Sequence, residues 1–248
     1  MKRALIIPAA GRGSRLQSDV PKVLYPIGGR AMIDRLLDLY AGVVDHVVLV
    51  VSPEFEDLVR RHCSSRAETI SYTIQPRPDG MLPAILTAWP LLAKDPPARV
   101  WITWCDQIAI RPGTIRRLIE LSEAAPAPDL VFPTVCRQAP YIHFDRDAAD
   151  CIIAVRQRRE GDPMPETGES DSGLFALSGE AYLERLPEFA AEAERGAGTG
   201  ERNFLPFIPW LARRGRVVAY DVEDEVESIG VNTPSDARYI EQYFAATS

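Results

Sequence analysis

Apolar residues in the first half of the chain fall in short, nearly unbroken runs: Ala4 to Pro8, His46 to Val51, Thr69 to Ile74 and Val100 to Trp104. Runs of this length, rich in Val and Ile and bounded by polar stretches, predict strands covered on both faces. The segments between them, Ile33 to Tyr40, Glu54 to His62 and Leu82 to Leu92, carry apolar residues at helical spacing. Strand and helix in alternation predict right-handed βαβ units, hence an α/β fold with a mostly parallel central sheet flanked by helices. Ligands on such sheets bind beyond the carboxyl ends of the strands, where the strand order reverses.

The second half is less regular. Strand-like runs at Leu130 to Thr134, Cys151 to Arg156, Gly173 to Leu177 and Val217 to Asp221 predict a smaller insertion and a return to the sheet. Glu192 to Thr199, rich in Ala, Gly and charge, reads as a mobile loop before a helix starting near Glu201, and a last helix is expected from Pro234. Pro76 to Pro83 and Pro126 to Pro133 read as shaped loops. The chain is expected to form one domain, its first half about 1–135 and its second about 136–248.

Composition narrows the partners. With 46% hydrophobic residues in 248 the chain buries a substantial core, and a formal net charge of -7 argues against an extended basic face for nucleic acid. Anion binding must then be local. No apolar run approaches the roughly twenty residues of a membrane helix. Lys2 and Arg3 precede only seven apolar residues, interrupted by Pro8 and followed by Arg12, so no export signal is read there. Cys63, Cys105, Cys136 and Cys151 show no C-x-x-C or zinc-site spacing and read as core residues of a reduced, cytoplasmic protein.

The richest segment is Leu5 to Gly29. An apolar strand ends at Pro8, the small run Ala9, Ala10, Gly11 permits a tight turn, and Arg12, Arg15 and Lys22 add cations. Backbone N–H groups at glycines approach phosphate oxygens closely, while an arginine fork and a lysine charge neutralise a polyphosphate. Two familiar phosphate loops do not fit: Leu16 stands where the dinucleotide fingerprint needs a third glycine, and Gly-Lys-Ser/Thr is absent. Val23-Leu24-Tyr25 after Pro21-Lys22 reads as another strand-like run.

Gly11-Arg12-Gly13-Ser14-Arg15-Leu16 followed by Ser18-Asp19-Val20-Pro21-Lys22-Val23-Leu24 resembles the signature of the sugar-phosphate nucleotidyltransferases, most closely the uridylyltransferase domain that makes UDP-N-acetylglucosamine. The resemblance implies a Rossmann-like sheet of GT-A type. It makes Arg15 and Lys22 the triphosphate contacts within a nucleotide-binding turn of Ala9, Ala10, Gly11, Gly13 and Ser14. Asp106, just past a strand in WITWCDQIAI, either caps a turn or holds Mg²⁺, which favours oxygen ligands and substrate phosphates; the resemblance implies the metal. Asn232 in ESIGVNTP reads on its own as a cap before the helix at Pro234, and the resemblance makes it the second metal ligand. Ile74-Gln75-Pro76-Arg77-Pro78-Asp79-Gly80-Met81 resembles the base-recognition segment, with Gln75 and Gly80 at the pyrimidine contacts and Met81 in place of the usual threonine.

The acceptor side departs from that pattern. Pro140-Tyr141-Ile142-His143-Phe144 replaces a Gly-Tyr-Gly-Arg-like loop, Arg156 aligns with a glutamate that contacts the sugar, and Asp171, before Ser172-Gly173, aligns with an asparagine. Tyr141, His143, Arg156, Asp171 and Gly173 are the acceptor-side candidates. Arg156, Arg158 and Arg159 meet an acidic acceptor or form a solvated face; His143 is a proton carrier or acceptor ligand by residue type, and His46 and His62 read as structural. Glu201 to Phe207 lines the acceptor pocket or serves capping and packing.

The resemblance implies Mg²⁺-dependent transfer of a nucleoside monophosphate from a triphosphate, UTP ahead of CTP, to a sugar 1-phosphate or related phosphorylated small molecule, with release of pyrophosphate. A cytidylyltransferase for a non-sugar alcohol phosphate and a non-catalytic nucleotide sensor are the competing readings. A molybdopterin nucleotidyltransferase is disfavoured by Pro21-Lys22 and Gln75 to Gly80. The expected partners are the two substrates, with no nucleic acid and no membrane; a homo-oligomer is compatible with all of this.

Overall fold

Successive side chains of a strand point to opposite faces, so a strand covered on both sides must be apolar throughout. In the computed structural model, which describes residues 1–222 and 224–247, β1 (Arg3–Pro8) has this form. Leu5 and Ile7 join one hydrophobic cluster, Ala4 and Ile6 the other.

The small hairpin β2 (Pro26–Ile27) and β3 (Arg30–Ala31) leads into α1 (Met32–Tyr40), then come β4 (His46–Val51), α2 (Glu56–His62) and β5 (Ile70–Ile74). Two short helices, α3 (Met81–Leu86) and α4 (Trp89–Leu92), precede β6 (Arg99–Thr103) and α5 (Pro112–Ser122). The rest comprises β7 (Leu130–Gln138), β8 (Ile142–Arg146), β9 (Ile152–Gln157), β10 (Thr167–Asp171), β11 (Leu174–Ser178), α6 (Leu186–Glu192), α7 (Phe207–Ala212), β12 (Val217–Asp221) and α8 (Pro234–Thr247).

Strands β6, β1, β4 and β5 lie side by side and parallel. The chain runs outwards from β1 to β4 to β5 and then crosses to β6 on the other flank of β1. The order therefore reverses between β1 and β6, which fixes the switch point. Beyond β6, β11 runs antiparallel to both β6 and β7, so β7 resumes the direction of the parallel strands, and β12 pairs β7 in parallel, Val217 opposite Leu130. β10 and β11 follow one edge of β7 in succession, with Ser172 and Gly173 as a bulge between them. The antiparallel β8–β9 ribbon stands outside this sheet.

Both faces of the sheet are covered. Trp101, Val131 and Ala176 pack with α1, α5 and α8 on one face. Ile102, Phe132, Phe175 and Leu177 pack with α3, α6 and α7 on the other. α1 buries Met32, Ile33, Leu36, Leu37 and Tyr40, one helical stripe.

Four sequence expectations change. Val23 and Leu24 lie in a single helical turn, Lys22–Leu24, that Tyr25 closes, rather than in a strand, because Leu24 and Tyr25 donate backbone hydrogen bonds to Pro21 and Lys22 (2.8 and 3.0 Å). The expected helix over Leu82 to Leu92 divides in two at Thr87–Ala88, since Pro90 has no N–H to continue the ladder. The helix expected near Glu201 begins at Phe207; Arg202 is held extended, donating to Asp79 O (2.8 Å) and accepting from Leu82 N (3.1 Å). Cys63 and Cys105 are buried, but Cys136 and Cys151 are exposed, one near the outer end of β7 and one in the turn before β9. Among the described residues no helix is long and apolar enough to cross a membrane.

The bulge generates a stability prediction. Gly173 has φ +69°, and a Cβ there would lie 2.5 Å from both Gln107 Cγ and Trp104 Cδ1. Gly173→Ala is expected to lower the unfolding free energy by roughly 2 kcal/mol or more in urea titration; a loss below about 0.5 kcal/mol would show that the bulge relaxes freely.

Candidate active site

The turn after β1 is shaped by what its residues bury. Leu16 is 3% exposed and anchors a single helical turn, Ser14–Leu16, in the core, so Arg15 beside it stays outside. Gly13 precedes that turn at φ +72°, a left-handed conformation suited to glycine. A Cβ on Gly13 would come within 2.8 Å of Lys22 Cβ, so only glycine lets the lysine stem lie against the turn. The second turn, Lys22–Leu24, buries Val23 and Leu24 and leaves Lys22 beside the switch point. Among the described residues, the amides of Gly11, Arg12, Gly13 and Ser14 have no acceptor within the chain, and Ala9 and Ala10 carry the backbone into them. Arg12 turns away, donating to Glu54 (Nε–Oε2 3.0 Å).

Asp106 enters from the carboxyl end of β6, and Asn232 from the segment before α8. Lys22 Nζ contacts Asp106 Oδ2 and donates to Asn232 Oδ1 at 2.8 Å, and Arg15 Nη2 donates to the same Asn232 oxygen at 2.8 Å. The ion pair is well enclosed, its side chains 13% and 15% exposed. Asp106 is thus part of this cation cluster; its own backbone carbonyl accepts from Val231 N at 3.1 Å. Gly230 makes the approach possible, since a Cβ there would sit 3.0 Å from Asp106 Oδ2 and 3.1 Å from Asn232 Nδ2.

The residues fit a magnesium site in one respect that the structure shows: two hard oxygens, Asp106 Oδ2 and Asn232 Oδ1, converge on one cation, the Lys22 ammonium. Two protein oxygens suffice for an ion whose other ligands are water and phosphate. No group of three His, Cys, Asp or Glu side chains among the described residues forms an all-protein cage. Asn232 is not the helix cap that its sequence context suggests. Thr233 and Asp236 are, through Asp236 N donating to Thr233 Oγ1 (3.2 Å) and Thr233 N to Asp236 Oδ2 (2.8 Å), while Asn232 N also donates to Asp236 (3.0 Å). That box, Thr-Pro-Ser-Asp, was readable in the sequence.

Gln75 and Gly80 meet directly. Gln75 Nε2 donates to Gly80 O at 2.9 Å, and Gln75 is 9% exposed. Gly80 has φ +114° and its Cα lies against the Arg202 backbone with no room for a side chain.

Asp171 ends β10 and Gly173 lies in the bulge that follows it, beside the end of β6. Asp171 Oδ1 accepts from Gly173 N at 2.8 Å, and Trp104 N donates to Gly173 O at 2.9 Å. Burial pushes the Asp171 carboxyl up to about 6, with the charge of Asp106 adding to it and bonds from Gly173 and Trp104 opposing it. Tyr141, His143 and Arg156 instead belong to the β8–β9 ribbon and touch none of Arg15, Lys22, Asp106 or Asn232. His143 Nδ1 accepts from Glu169 N (3.1 Å), and Arg156 Nε donates to Asp145 (2.7 Å). Arg158 donates to the carbonyls of Ala139 and Pro140, and Tyr141 is 49% exposed.

Sequence reasoning missed Arg137. Its guanidinium donates to Ser228 Oγ (3.1 Å) and Ser228 O (3.4 Å), and Gln107 Nε2, next in sequence to Asp106, donates to the same carbonyl (3.3 Å). It has no carboxylate partner among the described residues. A lone arginine at a strand end gives no spacing signal.

Residues 5–188 match the model of the MobA-like NTP transferase domain, and the chain belongs to that family. It is similar to the protein named "Bifunctional protein GlmU" in Pseudomonas aeruginosa (28% identical over 249 residues, 98% of this chain and 52% of that protein). The same name is carried by relatives from Cereibacter sphaeroides (27% over 241 residues, 97% and 52%) and Mycobacterium marinum (27% over 237 residues, 92% and 47%). The chain spans about half the length of these curated relatives.

The raised carboxyl of Asp171 sets a pH dependence. A folded-state value of about 6 against 3.8 unfolded means its contribution to stability is fully present below pH 4 and lost as pH rises through 6. The charge should cost about 3 kcal/mol at neutral pH. Relative to wild type, Asp171→Asn is expected to gain stability between pH 4 and pH 7; parallel urea midpoints across that range would contradict it.

Proposed function

We propose that this chain is a nucleotidyltransferase that moves a nucleoside monophosphate from a triphosphate, UTP favoured and CTP next, to a sugar 1-phosphate or related phosphorylated small molecule, releasing pyrophosphate. The observation that carries this reading is the convergence of Lys22, Arg15, Asp106 and Asn232 at the β1/β6 switch point, beside unpartnered amides of a glycine turn. Family membership and the relatives' names support it. We take the chain as a single nucleotidyltransferase domain, nucleotide in the half about 1–135 and acceptor in the half about 136–248.

In this reading an oxygen of the acceptor phosphate forms a bond to the α-phosphorus while the bond from that phosphorus to the bridging oxygen of pyrophosphate breaks. The acceptor is already an anion at neutral pH, so no general base is required; positioning and charge neutralisation carry the rate. Magnesium held by Asp106 and Asn232 would supply Lewis-acid neutralisation of phosphate charge. Arg15 and Lys22 neutralise the triphosphate and the departing pyrophosphate, and the amides of residues 11–14 donate to phosphate oxygens. Gln75, its amide N–H₂ already engaged by Gly80 O, presents its carbonyl oxygen to a base edge. Arg137 supplies the acceptor side with a cation that no carboxylate among the described residues neutralises.

Pyrophosphate release, screened across four triphosphates with pooled sugar 1-phosphates and alcohol phosphates, tests the reading. Asp106→Ala and Lys22→Ala are expected to lose at least 100-fold in kcat, roughly what loss of a charge-stabilising group costs; folded variants with normal turnover would refute the mechanism. Arg137→Met should raise the acceptor KM about tenfold and leave triphosphate affinity within about twofold. An equal loss of triphosphate affinity would reduce Arg137 to a pin for the Ser228 loop.

A further inference from the structure

The β8–β9 ribbon and the base-recognition segment are far apart in sequence and, among the described residues, exchange no hydrogen bond, yet one carboxylate links the two. After β9 a single helical turn, Arg158–Glu160, ends at Gly161 in a left-handed conformation. Glu160 there accepts four hydrogen bonds from one short loop. Thr199 Oγ1 donates at 2.7 Å, Asn203 Nδ2 at 2.8 Å, and the amides of Gly198 and Thr199 at 3.0 Å each. The loop is built to close on that carboxylate: a Cβ on Gly196 would collide with it, and one on Gly198 with the Arg159 carbonyl. Arg159 adds an ion pair to Glu201 at 3.1 Å. Partial burial works against the charge of Glu160, but the bonds from Thr199, Asn203 and Gly198 outweigh it and hold the carboxyl down to about 2.

The same loop grips the other side two residues on. Arg202 donates to Asp79 O and accepts from Leu82 N, a pair of backbone bonds that brackets Gly80 and presses it against the Arg202 backbone. Gly80 in turn fixes the amide of Gln75. Phe204, next in sequence to Asn203, is buried against Trp104 at 6.0 Å between ring centres, which ties the loop to the end of β6.

We infer that Glu160 is a positioning residue: by clasping residues 196–203 it holds the Gln75–Gly80 segment in its nucleotide-binding conformation and couples that segment to the acceptor ribbon. The inference rests on the proposed function for what the segment binds, but the clasp itself is a property of the chain without ligand. The loop also closes on itself, Gly196 N donating to Glu201 O and Gly200 N to Gly196 O at 2.8 Å each, so what Glu160 supplies is the anchorage of this closed loop to the end of β9, and the segment that leans on the loop takes its place from that anchorage.

Hydrogen exchange and UTP titration of the intact chain test it together. In Glu160→Gln the amides of Arg202 and Leu82 are expected to exchange at least about tenfold faster, while Ile6 and Val48 in the sheet keep their wild-type rates as a control for folding. UTP affinity should fall about tenfold, and KM for the triphosphate should rise with kcat changed less than about twofold. Thr199→Val, which removes one of the four donors, should give a smaller change in the same direction. Unchanged exchange at Arg202 and Leu82 would overturn the inference, and so would faster exchange with UTP affinity within about twofold of wild type. A wild-type chain that binds none of the four triphosphates would defeat the proposed function instead, leaving the exchange rates to decide the clasp.

Discussion

Lys22 held between Asp106 and Asn232 is the contact on which the site depends. It joins the turn after β1, the end of β6 and the entry to α8, three segments that meet because the parallel strands deliver them to one edge of the sheet. Removing one partner of a buried pair strands the other charge, at about 3–5 kcal/mol when water is fully excluded. With only a small fraction of each side chain exposed, this pair is closer to that limit than to a surface ion pair. Without ligand the cluster is electrostatically satisfied from within, so its shape does not wait for a substrate to form.

Close approach of backbone, rather than side-chain chemistry alone, gives the site its dimensions. Gly13 lets two turns touch, Gly230 lets the last loop pass over Asp106, and Gly173 lets β10 step into β11 without striking Trp104. The aromatic cluster of Trp104, Phe175 and Phe204, packed tilted and edge to face with ring centres 5.2–6.0 Å apart, then fills the space behind the bulge. Strand ends are soft places in a sheet, and here packing beneath them supplies the stiffness.

Much of this was legible in the sequence for a physical reason. A strand buried on both faces must be apolar at every position, so β1, β4 and β6 announce themselves, and the parallel order follows from the helices between them. The cation turn was legible because glycines and arginines at that density have few other uses. Local competition was not legible: Val23 and Leu24 bury equally well in a turn, and Pro90 breaks a helix whose apolar spacing is otherwise continuous. Nor were partners distant in sequence. Arg156 aligned with a sugar contact, yet Asp145 on the neighbouring strand engages it, while Arg137 and Glu160 take their roles from loops some 40 to 90 residues away.

The helix that follows Asn232 reaches well beyond the site. Its first turn is locked to Asn232 through Asp236, its middle receives the amide of Gly28 on Glu241 at 2.8 Å, and its far end lays Phe244 under the Arg35 guanidinium at 4.4 Å. Gly28 belongs to the hairpin just after Lys22, and Arg35 to α1 beyond it. The helix therefore acts as a splint across the two segments that supply the lysine and the asparagine. A displacement of either by a ligand would be felt along fourteen residues as one stiff body, which makes the last turns of this helix a remote gauge of events at the sheet's edge.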